Sequence, residues 1–409
     1  MSKLPLEGQK QWIGLLLAGL ILRWSLLPFV MHVDAVLGGD ILTINRGSVA
    51  AVHRVQKLST YPPMAEYTIG LYQSISKIPV IDAKFGLSAT ATNVIFRVLF
   101  FSKLLYLLFD VAALLIWTCL FRDNLYSLRS VWGFWALNPL TLYNAYVHGQ
   151  FDLIPVFFVV LSSYFASRNS SRWAAFWLGI AGCYKNFPLF FLLPLVIILA
   201  KSWRERLTLF LLGTVPYVSF MAPFLKQYHT SIGNYQNWYF KASYDLGLGA
   251  QVYLFFVFYA ALLWYLHHRK AHTFEDFWRA CFAILLVYYQ FSYFDLHYWA
   301  WIVPFAAIYW VEYPQQARPF YLVIGLCLLV LMAPTPLGRF LAPISPRFFL
   351  RLPSLLEVLN PYLPMLFIVN VVRSLMAGTC FYLAWRLLRD MPAWHSEAPR
   401  ATPEPVTVV

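Results

Sequence analysis

The chain has 409 residues, 60% of them hydrophobic and 12% charged, with a formal net charge of +13. A soluble domain is near half apolar and about a quarter charged, so a water-soluble enzyme carrying one anchor is excluded. The basic residues lie between apolar runs rather than in one patch, the pattern of cytoplasmic loops and not of a nucleic-acid binder.

A crossing needs about 20 apolar residues. The first run, 11–30, follows Lys3 and Lys10 and leads into a loop with no small-residue cleavage pattern, so it reads as a retained span. The loop 31–93 carries Asp34 and Asp40 directly after that span, then Tyr61-Pro62-Pro63. Within it Met64, Tyr67, Leu71, Tyr72, Ile75 and Ile78 recur at helical spacing, and residues 43–58 repeat the pattern more weakly. Both stretches predict helices lying flat at the interface. Spans follow at 94–121, 127–147 and 153–167, with His148-Gly149-Gln150-Phe151-Asp152 capping the hairpin between the last two. Lys103 and Asp110 share a helix face and are expected to form structural pairs within the bundle.

Residues 173–200 are long enough for one span, but Lys185, Asn186 and Pro188 interrupt the middle. A charge and a proline there favour a broken segment. Arg168 and Arg172 precede it and Lys201, Arg204 and Arg206 follow, so both flanks read as cytoplasmic. The segment is therefore expected to be two half-helices with Lys185 near the buried apex. The remaining spans are 207–225, 250–266, 277–294, 298–312, 319–333 and 364–388, with Asp295 and His297 in the turn before 298–312.

The predicted fold is an all-α polytopic transmembrane bundle. It has about ten spans, one broken re-entrant helix pair, and interfacial helices in the first external loop. Residues 1–389 form one transmembrane domain with both termini cytoplasmic, and the polar, proline-rich stretch 390–409 reads as a disordered tail. The loops 31–93, 226–249 and 334–363 become extracytoplasmic. The five cysteines, Cys119, Cys183, Cys281, Cys327 and Cys380, show no metal spacing and read as small core residues.

Ionisable residues inside a membrane usually face a cavity or a partner. Here Asp34, Asp40, His148, Gln150, Asp152, Lys185, Asp295 and His297 all fall toward the outer side. A cavity with carboxylates on one wall and cations on another suits transfer of a sugar from a lipid phosphate. The phosphate leaves readily and needs cations, while the acceptor hydroxyl needs one general base. Each residue also has a plainer reading: Asp34 and Asp40 as loop carboxylates, Lys185 as the partner of Asp152, and His148 and His297 as hydrogen-bonded structural histidines.

At these residues the sequence resembles the GT-C glycosyltransferases, polytopic enzymes that use polyprenyl-phosphate sugars. The similarity extends to the catalytic subunit of GPI mannosyltransferase I and to bacterial polyprenyl-phosphate-mannose-dependent mannosyltransferases. The first of these families carries an Asp-x-Asp after its first span and another aspartate six residues on. His32-Val33-Asp34 and Asp40 match that spacing, with His32 in place of the first aspartate, so the pair lacks one carboxylate and Asp34 is the match for the catalytic residue. Tyr61-Pro62-Pro63 is similar to a Tyr-x-Pro element. Asn138-Pro139-Leu140-Thr141 with the following 148–152 turn, the Lys185-Asn186-Phe187-Pro188 segment, and 291–304 with Tyr293-Phe294 and Trp299 resemble later elements, in family order.

The resemblance implies an inverting transfer of a hexose, mannose first among them, from a polyprenyl-phosphate sugar to a lipid-linked or glycan acceptor. It assigns Asp34 or Asp40 as base, and Lys185 and His297 as donor phosphate ligands. His148, Gln150, Asp152, Tyr61 and Asp295 would line the sugar and acceptor pocket. A divalent cation and a small membrane subunit are compatible with it. The membrane would be the bacterial inner membrane, or the endoplasmic reticulum in a eukaryote. Two other readings fit the same sequence features: a lipid or sugar-lipid flippase, and a noncatalytic subunit that keeps the fold.

Overall fold

The computed structural model describes residues 6–31, 41, 44, 48, 62–77, 92–225, 242–247, 250–269, 272–291 and 296–391. The positions of Asp34, Asp40, Tyr61, Asp295, most of 43–58 and the tail beyond 391 lie outside these residues.

The chain is a helical membrane bundle. α1 covers Leu6–Phe29, α2 Pro63–Ser76, α3 Thr92–Phe121, α4 Leu125–Leu137 and α5 Leu153–Ser167. α6 (Ser171–Gly182) and α7 (Leu192–Leu199) are joined through a 3-10 turn at Phe187–Phe191, and α8 spans Trp203–Met221. A short antiparallel hairpin, β1 (Ser243–Gly247) and β2 (Ala250–Tyr253), precedes α9 (Leu254–Arg269). It takes the first residues of the 250–266 run out of the span. α10 (Phe274–Phe291), α11 (Val303–Glu312), α12 (Pro314–Leu331) and α13 (Met365–Arg389) complete the bundle.

Among the described residues α1, α3, α8, α12 and α13 are each long and apolar enough to cross a bilayer. The other crossings are shorter or composite. The expected span 127–147 is divided because Pro139 disfavours helix at Asn138, which ends α4 and turns its own side chain to accept from Leu140 N at 2.9 Å. A π-helical stretch, Leu142–His148, continues the climb. The expected span 298–312 likewise begins as a 3-10 segment, Leu296–Ile302, before α11.

The broken pair returns to the end it came from. Ser171 Oγ at the start of α6 donates to Glu205 Oε1 at the start of α8, 3.3 Å away, while α7 ends only a few residues before α8 begins. α6 and α8 cross where two glycines meet: a Cβ on Gly179 would stand 2.4 Å from the Gly213 carbonyl oxygen. Small residues are what lets membrane helices approach this closely.

The helix ends sort into two groups. Arg168 reaches Cys119 O, His272 Nδ1 lies 3.2 Å from Ile198 O, and Tyr265 Oη donates to Leu388 O at 2.8 Å. These contacts gather Arg122, Arg168, Lys201, Arg269 and Arg389 at one end of the bundle. At the other end Met31 N donates to Phe340 O at 3.0 Å, so the 334–363 loop folds back against the end of α1. A capping box between Ser354 and Glu357 fixes that loop, and its bonds hold the Glu357 carboxyl below the usual range.

α2 has the amphipathic form expected of an interfacial helix. Pro63 starts it, Lys77 ends it with a left-handed φ of 51°, and Tyr67, Leu71 and Ile75 are exposed on one face. Its other face is held by Tyr72 Oη donating to Phe101 O at 2.8 Å and by a 3.0 Å bond between the Thr68 and Tyr184 hydroxyls.

The core is pinned by a buried ion pair. Arg23 Nε donates to Asp110 Oδ2 at 2.7 Å, and Trp135 Nε1 and Tyr146 Oη donate to the same carboxylate at 2.9 and 2.8 Å. Asp110 therefore pairs with Arg23. Lys103 instead donates to Tyr146 O at 2.6 Å and to Val30 O, capping the last carbonyls of α1. The cysteines are all free; Cys119 is exposed and the other four are buried.

Candidate active site

The site forms at the end opposite the basic cluster. The π-helical stretch closes on Gly149, whose φ is +84°. A side chain there would be strained, and a Cβ would stand 2.9 Å from Ile41 Cβ. Ile41, the residue after Asp40 in the sequence, is thus seated on the turn that bears His148 and Gln150. Its burial is complete.

Asn144 organises this turn. Its carbonyl accepts from Gly149 N and Gln150 N, both at 2.9 Å. Its side-chain Nδ2 donates to Asp152 Oδ2 at 2.7 Å and to His297 O at 3.0 Å. One amide therefore joins α5, the π-helical stretch and the 3-10 segment before α11. π-helical irregularities are frequent at functional sites.

Asp152 Oδ1 pairs with Lys185 Nζ, which rises from the apex of the broken pair. Asp152 is fully buried and Lys185 and His297 are each 5% exposed. The ammonium also lies 5.1, 5.4 and 5.5 Å from the ring centroids of Phe151, Tyr298 and Trp301. Such a cage stabilises a desolvated cation. The 3-10 segment is fixed behind it by Tyr289 Oη donating to Tyr298 O at 2.5 Å and by Trp301 stacked on Phe187 at 4.4 Å.

The imidazoles of His148 and His297 face each other with centroids 4.6 Å apart. Tyr143 lies 5.8 Å from the His148 ring and 6.0 Å from Phe340. An apolar groove of about 440 Å³ starts beside these rings, lined by Leu140, Tyr143, Leu296, Tyr321 and Gly325 among others. It runs up the lipid-facing flank of α12.

Five of the sequence-predicted residues, His148, Gln150, Asp152, Lys185 and His297, are therefore buried at one end of the bundle. Asp34, Asp40, Tyr61 and Asp295 lie outside the described residues. Sequence reasoning missed Asn144, Tyr298, Trp301 and Arg23. Arg23 and Asn144 each stand in an apolar run, and that was the available signal. Among the described residues no group of three His, Cys, Asp or Glu side chains is placed to hold a metal ion.

The profile of glycosyltransferase family 87 matches residues 87–334, more than half of the chain. The chain belongs to glycosyltransferase family 87. No curated protein matches the chain. The family 87 match contains Asn144, His148, Gln150, Asp152, Lys185 and His297 and stops short of α13. The chain is thus a membrane glycosyltransferase, and the helix-borne part of the site falls inside the family region.

Proposed function

We propose that this family 87 protein transfers a hexose, mannose first among the candidates, from a polyprenyl-phosphate sugar to an acceptor hydroxyl at the extracytoplasmic face. The placement of basic helix ends together at the opposite end supports that sidedness. The observation that carries the reading is the meeting of His148, His297 and the Lys185–Asp152 pair beside a 440 Å³ apolar groove. A lipid-linked donor needs such neighbours: cations for the phosphate and an apolar path for the chain.

The reaction is a single inverting displacement. The acceptor oxygen attacks the anomeric carbon while its proton passes to Asp34, with Asp40 as the alternative base. The bond from the anomeric carbon to the phosphate oxygen breaks, and polyprenyl phosphate leaves with the electron pair. The phosphate gains one negative charge in this step. His297 and Lys185 offset it, and groups fixed in a dry site do so without reorganising. Asp152 and Asn144 hold Lys185 and the His297 segment in place, while His148, Gln150, Tyr61 and Asp295 line the sugar and acceptor pocket.

Purified protein supplied with labelled polyprenyl-phosphate hexoses tests the proposal. Wild type should cleave the mannose donor in the presence of acceptor, and Asp34→Asn should not, while both remain inserted and folded. Normal turnover by Asp34→Asn with Asp40 intact, and again with Asp40→Asn, overturns the assignment of the base.

A further inference from the structure

A second groove, of about 320 Å³, lies at the opposite end of the bundle between α9 and α13. Its walls are Phe258, Ala261 and Leu262 on one helix and Trp385 and Leu388 on the other, and Arg269 and Arg389 close it. The two helices are bridged at this basic end by Tyr265 Oη to Leu388 O at 2.8 Å and by Arg269 to Arg389 O and Met391 O. Deeper in the bundle they touch again through Phe258 and Phe381, whose rings are 6.1 Å apart. The space between these two contacts is apolar and open on the side away from the core.

Its dimensions suit one acyl chain. The helix rises about 16 Å from Phe258 to Arg269, and one leaflet contributes about 15 Å of hydrocarbon. The charged end suits a phosphate. Arg269 lies over the Tyr265 ring at 5.0 Å and Arg389 over Trp385 at 4.6 Å, so both guanidinium planes are held at the rim by aromatic faces. Arg386 and Arg389 share one nearby carboxylate, Asp390, at 3.7 and 3.1 Å, which leaves Arg269, Arg386 and Arg389 with a positive excess. Basic pockets between helices at a membrane surface bind anionic headgroups.

We propose that this groove binds one anionic glycerophospholipid of the leaflet at the basic end, with an acyl chain between α9 and α13 and its phosphate on Arg269 and Arg389. The lipid would fill the gap between α9 and α13, a helix that lies beyond the family 87 match. This site is separate from the transfer site and independent of the proposed reaction.

The test uses full-length protein, delipidated in mild detergent and titrated with phosphatidylglycerol, phosphatidylcholine, inorganic phosphate and polyprenyl phosphate, with bound lipid read by native mass spectrometry and stability by thermal melting. One phosphatidylglycerol should bind and raise the melting temperature; phosphatidylcholine and inorganic phosphate should do neither. Arg269→Gln/Arg389→Gln should weaken phosphatidylglycerol by about 30-fold, five- to six-fold per arginine. Ala261→Trp keeps both arginines but fills the groove, and should also lose the lipid. Equal binding of phosphatidylcholine, unchanged binding by both variants, or preferential displacement by polyprenyl phosphate would overturn the proposal.

Discussion

The Lys185–Asp152 pair allows chemistry to be separated from packing. Its side chains are 6% and 0% exposed. Lys185→Met keeps most of the side-chain volume but leaves the Asp152 carboxylate without its cation. Removing one member of a buried pair costs about 3–5 kcal/mol, and losing the contacts to Phe151, Tyr298 and Trp301 adds about 1 kcal/mol. Unfolding entropy grows by about 2.1 cal/mol/K per residue, so for a chain of this length the melting temperature should fall by roughly 5 °C. Lys185→Met/Asp152→Asn removes both charges while the side-chain oxygen at 152 still accepts from Asn144 Nδ2. Replacing a buried pair by neutral groups of similar volume is close to neutral, so the double variant should regain most of the lost stability. Its transfer activity should nevertheless stay at least about 100-fold below wild type, the usual cost of removing one preorganised group that stabilises developing negative charge. Melting of purified protein beside turnover of a labelled donor reads both quantities. A double variant that recovers melting temperature and transfer together would refute the reasoning, because the pair would then serve only the fold.

The apolar groove makes a separate prediction. A Cβ on Gly325 meets nothing within 4 Å, so Gly325→Trp should fold normally and obstruct the groove, lowering transfer from a long polyprenyl donor about tenfold or more while sparing a donor with a short chain; equal effects on both donors would count against a chain path there. Gly149→Ala should lose about 2 kcal/mol, from left-handed strain and contact with Ile41, with a larger fall in transfer. Ile41→Ala in the same chain should not restore the stability, because alanine keeps the Cβ that would stand 2.9 Å away and leaves a cavity where the rest of the side chain was. Arg23→Met strands Asp110 in the core and should cost about 3–5 kcal/mol, read as loss of folded protein after solubilisation; Asp110→Asn strands Arg23 instead, because one amide oxygen cannot accept from both Trp135 Nε1 and Arg23 Nε, and should cost a similar amount.

Much of the architecture was legible because hydrophobic length is a strong signal. The run 94–121 is the body of α3, and 153–167 coincides with α5. The broken pair was readable from Lys185, Asn186 and Pro188 together with arginines on both flanks, and the Ser171–Glu205 bond shows the doubling back. Local backbone departures were harder. The π-helical stretch follows from packing around Asn144, and no residue spacing announces it. β2 was hidden at the head of the 250–266 run, which is apolar enough to pass for helix, while its partner β1 falls in the loop before it. Long-range partners were least legible: Asn144 meets the His297 carbonyl across 153 positions, and Arg23 meets Asp110 across 87. Composition shows that an ionisable group in a span needs a partner, but the tertiary fold decides which one.

The doubled-back helix pair also constrains how the chain is made. Asp152 leaves the ribosome before Lys185, and neither α5 with a bare carboxylate nor α6–α7 with a bare ammonium is a comfortable guest of hydrocarbon alone. Release into lipid one segment at a time would expose each charge in turn. Synthesis therefore favours holding α5 at the insertion machinery until the apex of the next segment arrives, so that the two enter the bilayer as a neutral unit.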